Sequence, residues 1–558
     1  MRRFLLTFLV PIIAFGGADV GDYLTSEEEI LDALARDEIN YTQYYDLIEL
    51  FREKVSVFGD DLDRLLVIPG VDRRWISGIR EAAAHAGQYA DKETFLGWFP
   101  YDFERIESFV IFEKRAKGDF GGGTRVYTHG RFIDSDPYYP KTYINLSGRY
   151  LKSSLEIRLH EDRDGVRCRR RNLEARLFGG DITLGSFRKG LGEGLIMGKP
   201  FYIPGATREN SFQESFGNPQ DNLFNGVRFG GEYGRIGTGF LASRIVYDSV
   251  SVSAIGAELF WIPRGNLKLG GVYSYGDAKS RPGGSVYRQN SGSVFGSAKW
   301  EDTDISGEMA TTESGGIGFM LSFLKRASKT KTLAELWSYS EDFHPMHSKG
   351  LSDYRQTDIE LDNSGVTQRS REAGETGFEL KITSPLSENI FLNLDQSGWR
   401  TPPIEDWGIS SEIGLYYRGE NGRRIHCEFS WLKRTLTSGI RLKETIRMRA
   451  NWPLIWDIEC NAYFRLRWTT TETDRTRGVS VYPEIVYSRF EPFALRLRIK
   501  RYKSNLDDPS NGYWELRFRD ELRSGPLLWI AEIRHAQYDK TDKNPLTEFR
   551  VTASYLWR

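Results

Sequence analysis

The chain lacks most of what would make a function easy to read. Beyond its first residues it has no long uncharged apolar run, which excludes transmembrane helices. It has three cysteines, Cys168, Cys427 and Cys460, among 558 residues. Cys427 falls in phase with Ile425, Phe429 and Trp431, and Cys460 with Ile458, Ala462, Phe464 and Leu466. A strand-like segment near 441–450 separates the two, so a disulfide between them is not expected and both read as inert lipid-facing thiols. No Gly-x-Ser-x-Gly elbow and no zinc-protease motif is present, so no catalytic residue and no cofactor is assigned. His344 and His347 stand three apart without a third ligand, so no metal is assigned either.

What is present is alternation. From about residue 120 onward apolar and charged residues take turns: Phe493, Leu495, Leu497 and Ile499 against Arg496, Arg498 and Lys500. Phe464, Leu466 and Trp468 alternate with Arg465 and Arg467. A period of two places one set on each face of a strand. One aromatic face and one charged face is the demand of a barrel with lipid outside and water inside. Composition agrees: aromatics are 13% and Gly numbers 56, while a mean hydropathy of −0.48 suits strands with one wet face. The fold expected is mainly β, a transmembrane antiparallel β-barrel of roughly 16 to 20 strands. Turn signals punctuate it at Asp164-Gly165, Pro282-Gly283-Gly284, Asn421-Gly422, Asn511-Gly512 and Ser524-Gly525.

The N-terminus reads differently. Arg2 and Arg3, the apolar run Phe4 to Phe15 and then Gly16-Gly17-Ala18 form a secretory signal peptide, expected to span 1–18. No cysteine stands beside it, so a lipid anchor there is not expected. Residues 19–112 form a small all-α domain, with apolar residues at helical spacing in Glu27–Ala35, Tyr44–Lys54, Arg73–His85 and Glu104–Phe112. A linker follows over 113–123, and the barrel over 124–558. Residues 19–110 carry 21 acidic and 9 basic residues, a net of −12, whereas 111–558 carries +9. Opposite charge across a short linker is expected to steer the domain onto the barrel mouth.

Several motifs resemble a known family. Leu65-Leu66-Val67-Ile68-Pro69-Gly70-Val71-Asp72, followed by Trp75, Ile76 and Ile79, resembles a helix-hairpin-helix unit. Phe95 to Phe109 resembles a second, with Pro100 in the glycine position, and Asn40 to Phe51 a third. The segment Leu184 to Leu195 resembles a Gly-Asp-Phe/Tyr…Phe-Gly-Gln-Gly-Leu signature, with Leu191 for its Phe and Glu193 for its Gln. Its residues here are Gly185, Phe187, Gly190, Gly192 and Gly194. Together they resemble bacterial outer-membrane β-barrel proteins with an N-terminal periplasmic helix-hairpin-helix, competence DNA-receptor-like, domain. That resemblance implies the outer membrane, with the helical domain in the periplasm. It also marks Pro69, Gly70, Val71, Arg73 and Arg74 as a hairpin that contacts phosphate or a partner.

Charge argues against phosphate there. Asp72 replaces the second hairpin glycine and would repel an anion, and nucleic-acid binders carry a basic footprint that this acidic domain lacks. The Gly190-Leu191-Gly192-Glu193-Gly194 run is not a nucleotide loop, because strand-like text flanks it on both sides. The last strand, with Phe549, Val551, Tyr555 and Trp557, is expected to be the signal for the barrel-assembly machinery. The function expected is transport, binding or envelope structure, without enzyme activity, with outer-membrane lipid and a periplasmic protein as partners. DNA uptake and an outer-membrane enzyme acting on lipid or peptide stand as the alternatives.

Overall fold

The computed structural model describes the strands and most turns from Phe120 to Trp557. Before them it describes scattered positions from Leu24 to Phe51 and longer runs between Lys54 and Phe112. Residues 1–23, 113–119, 199–211 and 348–357, with other short stretches, lie outside the described residues. The signal-peptide reading, most of the first two helical segments, and Pro69 and Gly70 fall there.

Alternation becomes a ring. Among the described residues, strands from Phe120–Ile133 to Leu546–Trp557 pair antiparallel in chain order into a closed barrel, apart from the hairpin Asp358–Asp362 with Gly365–Arg369, which forms its own two-stranded sheet. The ring closes where Leu546–Trp557 pairs with Phe120–Ile133, with Val551 opposite Thr128 and Trp557 opposite Gly122. It contains 24 long strands and one two-residue piece, Asp136–Pro137. This corrects the expected strand number. Hairpins such as Tyr233–Ile236, Arg264–Leu267 and Trp300–Thr303 leave two residues between strands, so less chain goes to connections than the estimate allowed. The barrel also begins earlier than expected: Gly121, Gly122 and Gly123 pair within the first strand and do not belong to the linker.

The wall has the two faces the alternation requires. Leu259, Val294, Met309 and Ile533 point outward and are each more than half exposed. So broad an apolar belt is foreign to soluble monomers and suits lipid. Inward positions carry Arg447, Arg465, Glu484, Lys500 and Arg517, all buried within the ring. Cys427 and Cys460 are free thiols, on strands separated by Gly439–Pro453.

The two rims differ. Both ends of the barrel chain, Phe120 and Trp557, lie at the rim of the short turns. The opposite rim carries the two longest connections, 188–223 and 340–375, of 36 residues each.

Before the barrel, the described residues share one apolar core. Leu65, Val67, Ile68 and Val71 pack in it with Trp75, Ile76 and Ile79 of the helix Arg73–Ala86, alongside Phe95, Phe99 and Phe109. The expectation of an all-α segment is corrected. The helix Glu104–Glu107 is short, and Val110–Ile111 pairs in parallel with Val55–Ser56. β-Branched side chains, buried at Val55 and Val110 and half-buried at Ile111, favour that extended crossing over another helical turn. This segment touches the short-turn rim. Lys299 pairs with Glu81 at 3.1 Å, and the Lys331 ammonium donates to the Phe99 carbonyl. Arg64 lies near enough to inward-facing Glu156 to interact with it electrostatically.

Candidate functional site

The segment that resembles the glycine-rich signature leaves the wall and enters the lumen. The strand Gly180–Phe187 ends at Phe187, which stacks on Phe224 with centroids 5.6 Å apart. Among the described residues that follow, Gly190 to Gly198 form turns and bends. The Leu191 amide donates to the Met197 carbonyl at 2.8 Å and closes the excursion on itself. Leu191, Leu195, Ile196 and Met197 are buried in a cluster with wall residues Leu241, Ala254, Val272 and Phe295.

One carboxylate anchors this loop. Glu308, on the strand Thr303–Thr312, is 2% exposed and faces inward. It accepts hydrogen bonds from the Glu193 amide at 3.0 Å, the Leu195 amide at 3.2 Å and the Ser293 hydroxyl at 2.5 Å. Small residues make room for the loop. Gly192 has φ +60° and Gly194 φ +96°. A Cβ on Gly192 would stand 2.8 Å from Val272 Cγ2 and 3.3 Å from the Glu308 carboxylate. On the wall, a Cβ on Gly256 or Gly239 would strike the Leu191 methyls at 2.8 and 2.9 Å. Gly185 has φ +96° and lies against the Arg171 carbonyl, where a Cβ would come within 2.3 Å.

The second long connection meets the first. The Gly198 amide donates to the His347 carbonyl at 2.7 Å, beside a parallel bridge between Met197 and His347. Gln289 holds this second loop twice, accepting from the Met346 amide and donating to the His344 carbonyl, each at 2.7 Å. Phe343 stacks on Tyr339 with centroids 5.6 Å apart and fills space over Gly318. Thus both long loops of one rim fold inward and join over one arc of the wall. His344 and His347 sit in this junction, and the described residues hold no cluster fit for a metal.

The arc across the lumen is built on charge. Arg447 pairs with Glu428 at 2.5 Å, Arg498 with Glu484 at 2.8 Å, Arg517 with Glu532 at 2.7 Å and Arg534 with Glu515 at 2.8 Å. These eight residues lie on inward positions of neighbouring strands.

The structure therefore unites Phe187, Gly190, Gly192 and Gly194 in one site, while Gly185 sits at its strand edge. It places Phe549, Val551, Tyr555 and Trp557 elsewhere, on the closing strand, where Phe549 is opposite Ile533 and Val551 opposite Ala531. Val71 is buried in the N-terminal core, and Arg73 and Arg74 begin the helix after it. Sequence reasoning missed Glu308. Its one signal is a lone acid among small residues, Ser306-Gly307-Glu308-Met309-Ala310, in a strand otherwise without inward charge below Asp304.

No family model matches the chain, and no curated protein matches it. Solved structures align with the barrel at low identity. The P pilus usher PapC translocation pore is 12% identical, over 79% of this chain and 99% of that one, with a TM-score of 0.41. The siderophore receptor PirA from Pseudomonas aeruginosa is 10% identical, over 79% and 81%, with a TM-score of 0.43. The copper transporter OprC is 9% identical, over 80% and 82%, with a TM-score of 0.43. The barrel assignment itself rests on this chain's own strand pairing.

Proposed function

We propose that the chain is an outer-membrane transport barrel whose conduit is narrowed by its two long loops. The observation that carries this reading is the loop junction. Two connections of one rim enter a polar lumen and meet at Met197 and His347, the first held by the buried Glu308 carboxylate and the second by Gln289. A barrel whose lumen served only as structure needs no such device across its interior. Short turns and both chain ends at one rim support placing that rim in the periplasm and the long loops outside.

In this reading the acidic N-terminal segment is a helix-hairpin-helix module in the periplasm, resting against the mouth. The contacts of Glu81, Phe99 and Arg64 with the barrel support that role. Its hairpin serves a protein partner, since Asp72 beside it disfavours phosphate. The closing strand is read by the assembly machinery, and the outer belt meets lipid. The role is conduction and not catalysis. Planar-bilayer conductance of the full chain and of Glu308→Ala tests the reading. The variant is expected to conduct several-fold more, and equal, stable currents from both would overturn it.

A further inference from the structure

We infer that the charged arc of the lumen is an anion-recognition wall that takes small, multiply charged oxyanions. The inference rests on the conduit reading above and names the chemistry of what the conduit favours. Its centre is a four-layer stack. Tyr463 and Tyr482 are cross-strand partners whose rings stack with centroids 4.5 Å apart and planes at 17°. The Arg449 guanidinium lies 5.4 Å from the Tyr463 ring, and the Arg498 guanidinium 4.9 Å from the Tyr482 ring. Strand order puts the two rings between the two arginines, so both faces of each ring are taken. Cation–π contact on this scale holds each guanidinium in place, and Arg498 is fixed further by its ion pair with Glu484.

The pattern continues along the wall. Lys500 stands 5.9 and 5.5 Å from the rings of Tyr502 and Tyr513, which are themselves cross-strand partners. Tyr538 follows opposite Tyr513, at the rim of the long loops. At the other end of the row Tyr416 stacks on His426, centroids 4.0 Å apart, toward the short-turn rim. Barrel strands tilt by roughly 35–45°, so a row across them also travels along the pore axis. The donors therefore run through the wall instead of clustering at one mouth.

Sign and geometry both favour anions. Arg498 stands opposite Arg517, Arg517 opposite Arg534, and Arg447 opposite Arg465. Like charges directly opposite one another are destabilising in an ordinary sheet. The wall's carboxylates at Glu428, Glu484, Glu515 and Glu532 each position an arginine but leave basic residues in the majority, with Arg467 and Arg496 facing the same side. Guanidinium groups match the planar oxygens of carboxylate and phosphate. Because the central ring faces are occupied by each other and by cations, the wall offers donors and not a platform for stacking bases or sugars.

The test is calorimetric titration of inorganic pyrophosphate into the full-length protein in detergent, its fold checked by heat-modifiable gel mobility. Saturable binding is expected, weakened by high salt and weakened about tenfold in Arg449→Gln/Lys500→Gln. Spermidine, a cation of similar charge, is expected not to bind. Arg477→Gln, on an exposed residue away from the stack, is expected to leave pyrophosphate affinity unchanged. Absence of binding to the folded wild type, or equal weakening by Arg477→Gln, overturns the inference. Conductance of the same preparations separates the two readings. A barrel that conducts but binds no pyrophosphate overturns this inference alone. One that binds it and never conducts, even with Glu308 replaced, overturns the conduit reading alone.

Discussion

Two arcs of one barrel solve the same problem in opposite ways. From Phe224 to Tyr339 most inward positions are small or neutral, with Ser243, Ser274, Ser291 and Ser322 among them and Arg228, Glu308 and Glu335 as buried charges, and protein fills the space in front. From Arg424 to Tyr538 the inward positions are arginine, lysine, glutamate and tyrosine, held by ion pairs and stacked rings. Small side chains leave volume, and two loops take it. Long charged side chains leave none, and wall contacts organise them instead. The lesson is that a period-two pattern specifies which side is wet but not how wide the wet space is. Width is set by the size of what faces inward.

The bluntest way to break the comparison is to stop the ring from closing, since neither arc has an interior without it. Phe549 and Val551 sit on the closing strand, registered against Ile533 and Ala531, with Tyr555 opposite Leu527. Phe549→Asp/Tyr555→Asp puts carboxylates on the lipid side, unfavourable by up to about 2 kcal/mol each near mid-bilayer. The double variant is expected to lose assembly almost entirely. Heat-modifiable mobility after membrane fractionation reads this out, and normal folded yield would contradict the lipid-facing phase of the last strand.

Within a closed ring, the next largest effect belongs to the packed arc. Removing the Glu308 carboxylate leaves the Glu193 and Leu195 amides buried without their acceptor. Leaving a buried amide without its acceptor costs roughly 1–3 kcal/mol. Burial of Leu191, Leu195, Ile196 and Met197, at roughly 1.5–3 kcal/mol each, still favours the packed loop, so the loop is expected to open more often without leaving the wall for good. Gly192→Val should do the same by crowding Val272 and Glu308 at a positive φ. Protease cleavage between Gly190 and Gly198 is expected to appear in both variants and not in the parent. In contrast, Arg517→Gln on the charged arc should leave the loop protected, because its partner Glu532 lies across the lumen from it. Loop cleavage in Arg517→Gln would show that the arcs are coupled and weaken the division drawn between them.

The same division explains what could be read in advance. The charged arc is legible, because Leu495, Leu497 and Ile499 alternate with Arg496, Arg498 and Lys500 at full contrast. The packed arc is not. Strands such as Leu267–Ser280 and Val286–Trp300 alternate glycine and serine with tyrosine and valine, and contrast that weak hides strand number. The glycine-rich segment stood out in composition, but its place in the lumen did not. Its anchor lies 115 residues away and recognises backbone amides, which carry no residue signature. The crossing of Val55 and Val110 was hidden for a related reason: a two-residue strand is shorter than any period.

A smaller effect is expected from deleting 19–112. The contacts seen are Lys299 with Glu81 and Lys331 with the Phe99 carbonyl, at partly exposed positions. Exposed ion pairs are worth roughly 0–1 kcal/mol each, so tethering and long-range charge must do most of the holding. The acidic segment faces a barrel of opposite sign, −12 against +9. The truncated barrel is therefore expected to conduct modestly more, or flicker less, than the full chain at low salt, and high salt should bring the two together. Identical currents at low salt, with no protection of residues 60–105 from protease in the full chain, would show that the segment hangs free.

The smallest effect sharpens the comparison from outside the lumen. Arg477 and Asp507 make the same kind of pair as Arg498 and Glu484, with N–O distances of 2.5 and 2.8 Å, but Arg477 and Asp507 are about half exposed. The hydrogen bond from Arg477 holds the Asp507 carboxyl below the usual aspartate range. A depressed carboxyl contributes stability above its unfolded pKa and loses it only as pH falls through the lowered value. Between pH 8 and about 5 this pair should therefore contribute a constant amount. Being open to solvent, that amount should be too small to register. Asp507→Asn is expected to leave unfolding temperature, loop protection and conductance unchanged across that range. Glu484→Gln, at a position buried in the wall, should lower the folded yield or shift ion selectivity. If Asp507→Asn matched Glu484→Gln in effect, burial would not be what gives the charged arc its strength.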